Sequence, residues 1–228
     1  PNRNRRYQSD VFETRLLFQP FICLRGAEAA RVFYNNERFV RAGAAPLRMQ
    51  KTLVGQGGVQ GLDDEAHRRR KQMFMSLMTR ERIRQLADLS QEQWRAYSAK
   101  WQHMDQVVLF HEVQEILSRA VCAWAGVPLP EAEVAERARQ FAGMIDGGGG
   151  LGPRYWNGKR SRAQAEQWIG GLIDDVRAQR IDADPASALH VIASYRDLDG
   201  KPLDTRIAAV ELLNVLRPTV AVARYVTF

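Results

Sequence analysis

The chain has 228 residues, 45% of them hydrophobic and 26% charged, with a formal net charge of +7. That balance excludes a disordered or fibrous chain, and no stretch of 18 apolar residues runs free of charge, so no membrane-spanning helix is expected. The basic excess, with a pI near 9.8, suits a nucleic acid, an anionic membrane surface or an acidic small ligand. Much of the arginine, however, sits in helix-like segments mixed with glutamate, as in Arg80-Glu81-Arg82, the pattern of a solvated mixed-sign face.

The N-terminus is polar and arginine-rich without an apolar centre, so no signal peptide is read, and Pro1 as the first residue implies that residues before it are missing. Val11 to Gly26 (VFETRLLFQPFICLRG) alternates loosely and is rich in aromatic and aliphatic residues, which predicts a small sheet. Gly26 opens a helix over GAEAARVFYN. Residues 41–63 read as irregular, since four glycines between Gly55 and Gly61 rule out a long helix, and a loop of this length is functional or disordered. Helices are then predicted over His67–Met78, Arg82–Trp101, Val107–Ala125, residues 131–146 and Arg162–Arg180. A polar connection follows. Leu203–Phe228 reads as a long apolar helix, buried because it is apolar on nearly all sides, broken at Pro218 and running off the end of the chain. The fold class is mainly α with a small β element.

Two cysteines, Cys23 and Cys122, are too few for a disulfide framework, so a reducing, cytoplasmic compartment is the default. Cys122, in the apolar run VCAWAG, reads as a core thiol. His111-Glu112 is followed by Glu115 rather than a second histidine, so the zinc-protease spacing is absent, and His103 and His190 stand alone. The loop GQGGVQG lacks the lysine and the preceding strand of a phosphate-binding loop and is read as backbone that approaches something closely. The helix start AHRRRK (Ala66–Lys71) points cations in all directions: a solvated basic face or a ligand-carboxylate site.

The sharpest feature is Leu216-Arg217-Pro218-Thr219 inside the apolar helix. Arginine is seldom fully buried without a partner. Leu213, Asn214, Val220 and Ala221 surround Arg217 within a turn, none of them acidic, and Glu211 lies on another face. Either Arg217 reaches water or a carboxylate elsewhere in the fold, or it takes a ligand anion, for which a carboxylate matches the guanidinium fork.

Six segments in order, VFYNNERF, QKTLVGQGGVQGLD, AHRRRKQMFMSLMT, AVCAWAGVPLP, GPRYW and AAVELLNVLRPTVA, resemble the bacterial fatty-acid peroxygenases of the cytochrome P-450 superfamily. The resemblance covers nearly the whole chain, and LNVLRPTVA is its most specific segment. It implies the N-terminal portion of the P-450 fold, with residues 1–228 as one incomplete domain ending within the long central helix. It implies a thiolate-ligated haem b and hydrogen peroxide as oxidant, with no NAD(P)H, reductase, redox partner or nucleic acid. No metal ligand is expected in this chain: the axial cysteine would lie beyond Phe228. The implied reaction is hydroxylation of a long-chain fatty acid at the alpha or beta carbon. Arg217, with Pro218, would anchor the substrate carboxylate, which itself serves as general acid–base. Gln60 matches a distal-pocket glutamine, Val54 a pocket position favouring alpha-hydroxylation, and Gly148 a channel position. Arg41, His67 and Lys71 match positions near the haem propionates, whereas Arg69 departs from the family's histidine. Rival readings are oxidative decarboxylation to terminal alkenes, against which Gln60 argues, a non-catalytic acyl-binding helical protein, and a basic nucleic-acid module.

Overall fold

The computed structural model describes residues 8–16, 19–35 and 37–228, which divide into two compact units, one up to Arg41 and one from Ala42 to Phe228. Pro1, Leu17 and Phe18 of the strand-like stretch, and Asn36 of VFYNNERF, lie outside the described residues.

In the first unit, β1 (Val11–Leu16) pairs antiparallel with β2 (Gln19–Leu24), with Val11 opposite Leu24 and Glu13 opposite Ile22. The predicted sheet is therefore present. Gly26, at φ +93°, turns the chain into α1 (Ala27–Phe33), a backbone angle that costs glycine little. Phe33 packs its ring against Tyr34 and Phe39.

The second unit is helical. Residues 41–63 hold more regular structure than the glycines suggested. A helical turn at Leu47–Met49 follows Pro46 and runs into a π-helical turn at Gln50–Val54, which Gly55 ends at φ +83°. A 3-10 turn spans Val59–Gly61. Helix α2 (Asp64–Leu77) opens with Asp64 and Glu65 in its first turn, where carboxylates complement the exposed N–H groups. Helix α3 (Arg80–Trp101) is capped by Thr79, whose hydroxyl accepts from the Arg82 N–H. Helix α4 (Leu109–Ala125) stops at Gly126, left-handed at φ +71°. A 3-10 turn at Glu131–Glu133 leads into α5 (Val134–Gly147).

Helix α6 (Pro153–Arg177) starts well before Arg162, where the sequence reading began it. Proline at a first helical position is favourable, and Gly158, which reads as a breaker, serves a close approach: a Cβ there would lie 2.7 Å from Gly147 Cα of α5. The supposed polar connection contains a short helix, α7 (Ala188–Ser194), capped by Ser187. Helix α8 (Thr205–Ala221) runs continuously through Pro218, so the predicted break at that residue is corrected. Proline there leaves the Asn214 carbonyl without its i+4 donor, but only three helical residues follow it, so the loss does not split the helix. The interruption comes at Val222, before α9 (Ala223–Thr227).

Helix α8 is the central element, packing on α4, α5, α6 and α7. Ala208, Leu212, Leu213 and Leu216 meet Val113, Phe141, Ile169 and Ile192 in one core. Cys122 is fully buried within it, and burial pushes its thiol up to about 12, which makes it an inert core residue. No helix among the described residues is long and apolar enough to cross a membrane.

Candidate functional site

Arg217 is 9% exposed in the penultimate turn of α8. Among the described residues it makes no ion pair, and its Nε has no hydrogen-bond partner. Burial, and secondarily the charge of Arg162, hold its guanidinium down to about 10, so it is still a cation at neutral pH. Of the outcomes open from sequence, a carboxylate elsewhere in this part of the fold does not appear. Pro218, the next residue, is exposed, as is Val222 one turn on.

Glu211 is fully buried, and its pairing explains why it leaves Arg217 alone. Its Oε1 accepts from Arg70 Nη1 at 2.7 Å, and Arg70 Nη2 donates to Asp197 Oδ2 at 2.7 Å. Burial alone would lower Arg70, but the hydrogen bond and charge of Glu211, with the charge of Asp197, outweigh it and raise the group. Arg70 is thus the inward-facing member of the AHRRRK cluster, in register with Met73 and Leu77 on the buried side of α2. Arg68 instead pairs with Glu65 at the surface.

The glycine loop lies against α8. A Cβ on Gly58 would meet Val210 Cγ1 and Gln60 Oε1 at 3.0 Å. The close-approach reading of this loop therefore holds, and what it approaches is the central helix. Gln60 Oε1 accepts from Asn214 Nδ2 at 3.2 Å, which brings Gln60 to the helix three residues before Arg217. Val54 is half-buried at the end of the π-helical turn. Gly148 is buried against Leu53: a Cβ there would lie 3.1 Å from Leu53 Cδ2. His67 is half-buried and engaged in a contact, and Lys71, one turn on, is exposed. Arg41 closes the first unit and is also engaged in a contact.

Sequence reasoning passed over Arg162. It is 3% exposed on α6; its Nε donates to Glu166 Oε1 at 2.6 Å and its Nη1 to the Leu53 carbonyl at 2.8 Å, while Nη2 has no partner. Burial lowers it, opposed by Glu166. Two nearly buried guanidiniums, on α6 and α8, therefore repel each other. An open cavity of about 840 Å³ between α6 and α7, lined by Arg177, His190 and Arg196, contains none of these residues. Among the described residues no three His, Cys, Asp or Glu side chains gather as a metal site.

No family model matches the chain. Cytochrome P450 26C1 of Homo sapiens is 29% identical over 229 residues, covering 93% of this chain and 42% of that protein. Among solved structures, cytochrome P450SP alpha (CYP152B1) is 46% identical with a TM-score of 0.95, covering 99% of this chain and 56% of that one. Cytochrome P450EX alpha (CYP152N1), solved with myristic acid, is 45% identical with a TM-score of 0.92, covering 99% and 54%. Ligand-free cytochrome P450 OleT is 33% identical with a TM-score of 0.94, covering 100% and 55%. The chain has the cytochrome P-450 fold over about half of a P-450 chain. More narrowly, it resembles the N-terminal half of the CYP152 fatty-acid peroxygenases, the family to which its segments pointed. It spans about half the length of the proteins it matches.

Proposed function

We propose that the protein to which this chain belongs hydroxylates long-chain fatty acids with hydrogen peroxide, at the alpha or beta carbon, and that Arg217 binds the substrate carboxylate. The observation that carries this is a guanidinium 9% exposed in an apolar helix, with an unpartnered Nε and no carboxylate of its own. A ligand carboxylate would supply the missing counter-charge and a bidentate acceptor. Two ligands of the similar structures, myristic acid and (R)-ibuprofen, are both carboxylic acids.

The residues present fit a haem beside α8. Pro218 and Val222 turn outward as a small apolar surface, and Gln60 meets the same helix at Asn214. His67 and Lys71 lie one turn apart on α2, on one face, where they would hold propionates. Neither cysteine suits the iron: Cys122 is buried with its thiol raised, and Cys23 belongs to the sheet. The resemblance assigns that ligand to a segment after Phe228. Residues 1–228 are accordingly read as part of one P-450 domain, with the central helix closing at Ala221 before α9, in a bacterial cytoplasmic protein. A bound haem supplies oxidation of the C–H bond, with one hydrogen peroxide consumed and one water formed per hydroxyl inserted.

The chain's own residues orient and position. Arg217 fixes the carboxyl end, so the carbons next to it are those presented for reaction. Leu213, Asn214 and Val220 offer no titratable group, and the resemblance implies that the bound carboxylate carries the proton. Val54 and Gln60 shape the adjoining space, Gly148 sits on the channel side, and Pro218 sets the path of the helix past the carboxylate.

Incubation of the full-length protein with myristic acid and hydrogen peroxide, analysed by mass spectrometry, is expected to give 2- or 3-hydroxymyristate without any reductase. A terminal alkene as the main product would replace hydroxylation by decarboxylation. Bound haem with no peroxide-dependent product would overturn the reading.

A further inference from the structure

A second group of cations lines an open cavity of about 160 Å³ where the π-helical turn, α6 and the start of α8 meet. At about 30 Å³ per water, it holds roughly five waters. Around it stand Lys51, Gln56, Lys159, Arg162, Glu166 and Arg206. Four cations thus face one carboxylate, and Glu166 is already taken by Arg162 Nε at 2.6 Å. Lys51 and Arg206 make no ion pair among the described residues, and Lys159 Nζ lies 5.5 Å from the Trp156 ring.

Arg162 distinguishes this pocket from a solvated basic face. Its side chain is 3% exposed, yet Nη2 has no partner. The backbone is shaped around that group: a Cβ on Gly55 would lie 2.2 Å from Arg162 Nη2, and Gly55 adopts φ +83°, which side chains rarely tolerate. Gln56, next in the chain, lines the pocket itself. A buried guanidinium with a free donor, ringed by three point charges, calls for an anion. Lysines dispersed around the opening match a tetrahedral oxyanion better than a planar carboxylate, which favours a single fork.

We propose that Lys51, Lys159, Arg162 and Arg206 form a binding site for a compact dianion of the phosphate class, either free phosphate or the terminal phosphomonoester of a larger molecule. Arg162, whose unpartnered Nη2 lies beneath Gly55, lines the site, and the other three cations supply the surrounding charge. The lining of this site does not include Arg217, although the charge of Arg162 acts on Arg217.

Calorimetric titration of the full-length protein in chloride buffer tests this, with inorganic phosphate and glycerol 3-phosphate as separate probes. The variant Lys159→Ala/Arg206→Ala removes two exposed cations and leaves the core untouched; Arg95→Ala, on α3, is the control for lost charge. Saturable one-site binding, at least tenfold weaker in the double variant and unchanged in Arg95→Ala, is the expected result. Glycerol 3-phosphate binding as well as phosphate assigns the site to a phosphomonoester, and phosphate alone to the free ion. Absence of saturable binding with both probes, or equal loss in the control, overturns the proposal. Titration of the same samples with myristic acid reads the Arg217 site independently.

Discussion

The Arg217→Leu variant of the full-length protein is expected to be more stable without ligand than the parent and to lose most of its affinity for fatty acids. Burial holds Arg217 down to about 10, well below the ordinary guanidinium range. At about 1.4 kcal/mol per pKa unit, the charged form costs the folded state on the order of 3 kcal/mol. Leucine removes that cost and suits the apolar neighbours Leu213 and Val220, so a gain of about 1–3 kcal/mol in chemical denaturation is expected. The sign can be followed with pH. A cation whose folded pKa is depressed destabilises the fold below that value, and the penalty fades as pH rises above about 10 toward the ordinary guanidinium range. The leucine variant's advantage should therefore be full at pH 7–9 and shrink above pH 10. In the same variant, loss of a buried charge pair worth about 2 kcal/mol or more weakens fatty-acid binding by about 30-fold or more. Arg217 would then exemplify a side chain kept for function at the expense of stability. A variant less stable than the parent would mean that Arg217 has a structural partner in the whole protein.

Replacing Arg70 acts in the opposite direction. Arg70 is 2% exposed and joins two carboxylates, fully buried Glu211 of α8 and Asp197 in the turn after α7. Arg70→Met leaves Glu211 buried without a cation, which costs about 3–5 kcal/mol. The double variant Arg70→Met/Glu211→Leu removes both charges and should recover most of the loss, because a well-packed apolar pair replaces an ion pair at little cost. Urea titrations of the single and double variants measure the coupling. A single variant destabilised by less than about 1 kcal/mol would show that water or other groups compensate Glu211.

These two arginines also show what the sequence makes legible. Arg217 stands out because every neighbour within a turn is neutral, so its burial and lack of a local partner follow from helical spacing alone. Arg70 is hidden among five consecutive basic or histidine positions, although its spacing to Met73 and Leu77, three and seven residues on, marks the buried face of α2. Arg162 is less readable still. It lies in the polar run SRAQAEQ, and its i, i+4 partner Glu166 looks like any solvated helix pair. Only the packing of Gly55 and Leu53 against α6, more than a hundred residues apart in sequence, buries it. Main-element order was readable from apolar periodicity, and the sheet from its alternation. The start of α6 was missed because Gly158 and the polar residues from Asn157 to Arg162 interrupt any apolar stripe, and α7 because a seven-residue helix hides within polar flanks. The break at Pro218 failed for a positional reason: proline interrupts a helix interior, and this one lies three residues from the helix end. Gln60 and Val54 carry no signal of their own and entered through the family resemblance.

The most direct test of the account is calorimetric titration of the full-length haem-loaded protein with myristic acid and, separately, with its methyl ester. The ester keeps the chain and removes the charge. Binding of the acid with the ester weaker by at least about 30-fold, and with that difference gone in Arg217→Leu, is the predicted result. Equal affinity for acid and ester would contradict the assignment of Arg217 as the carboxylate anchor.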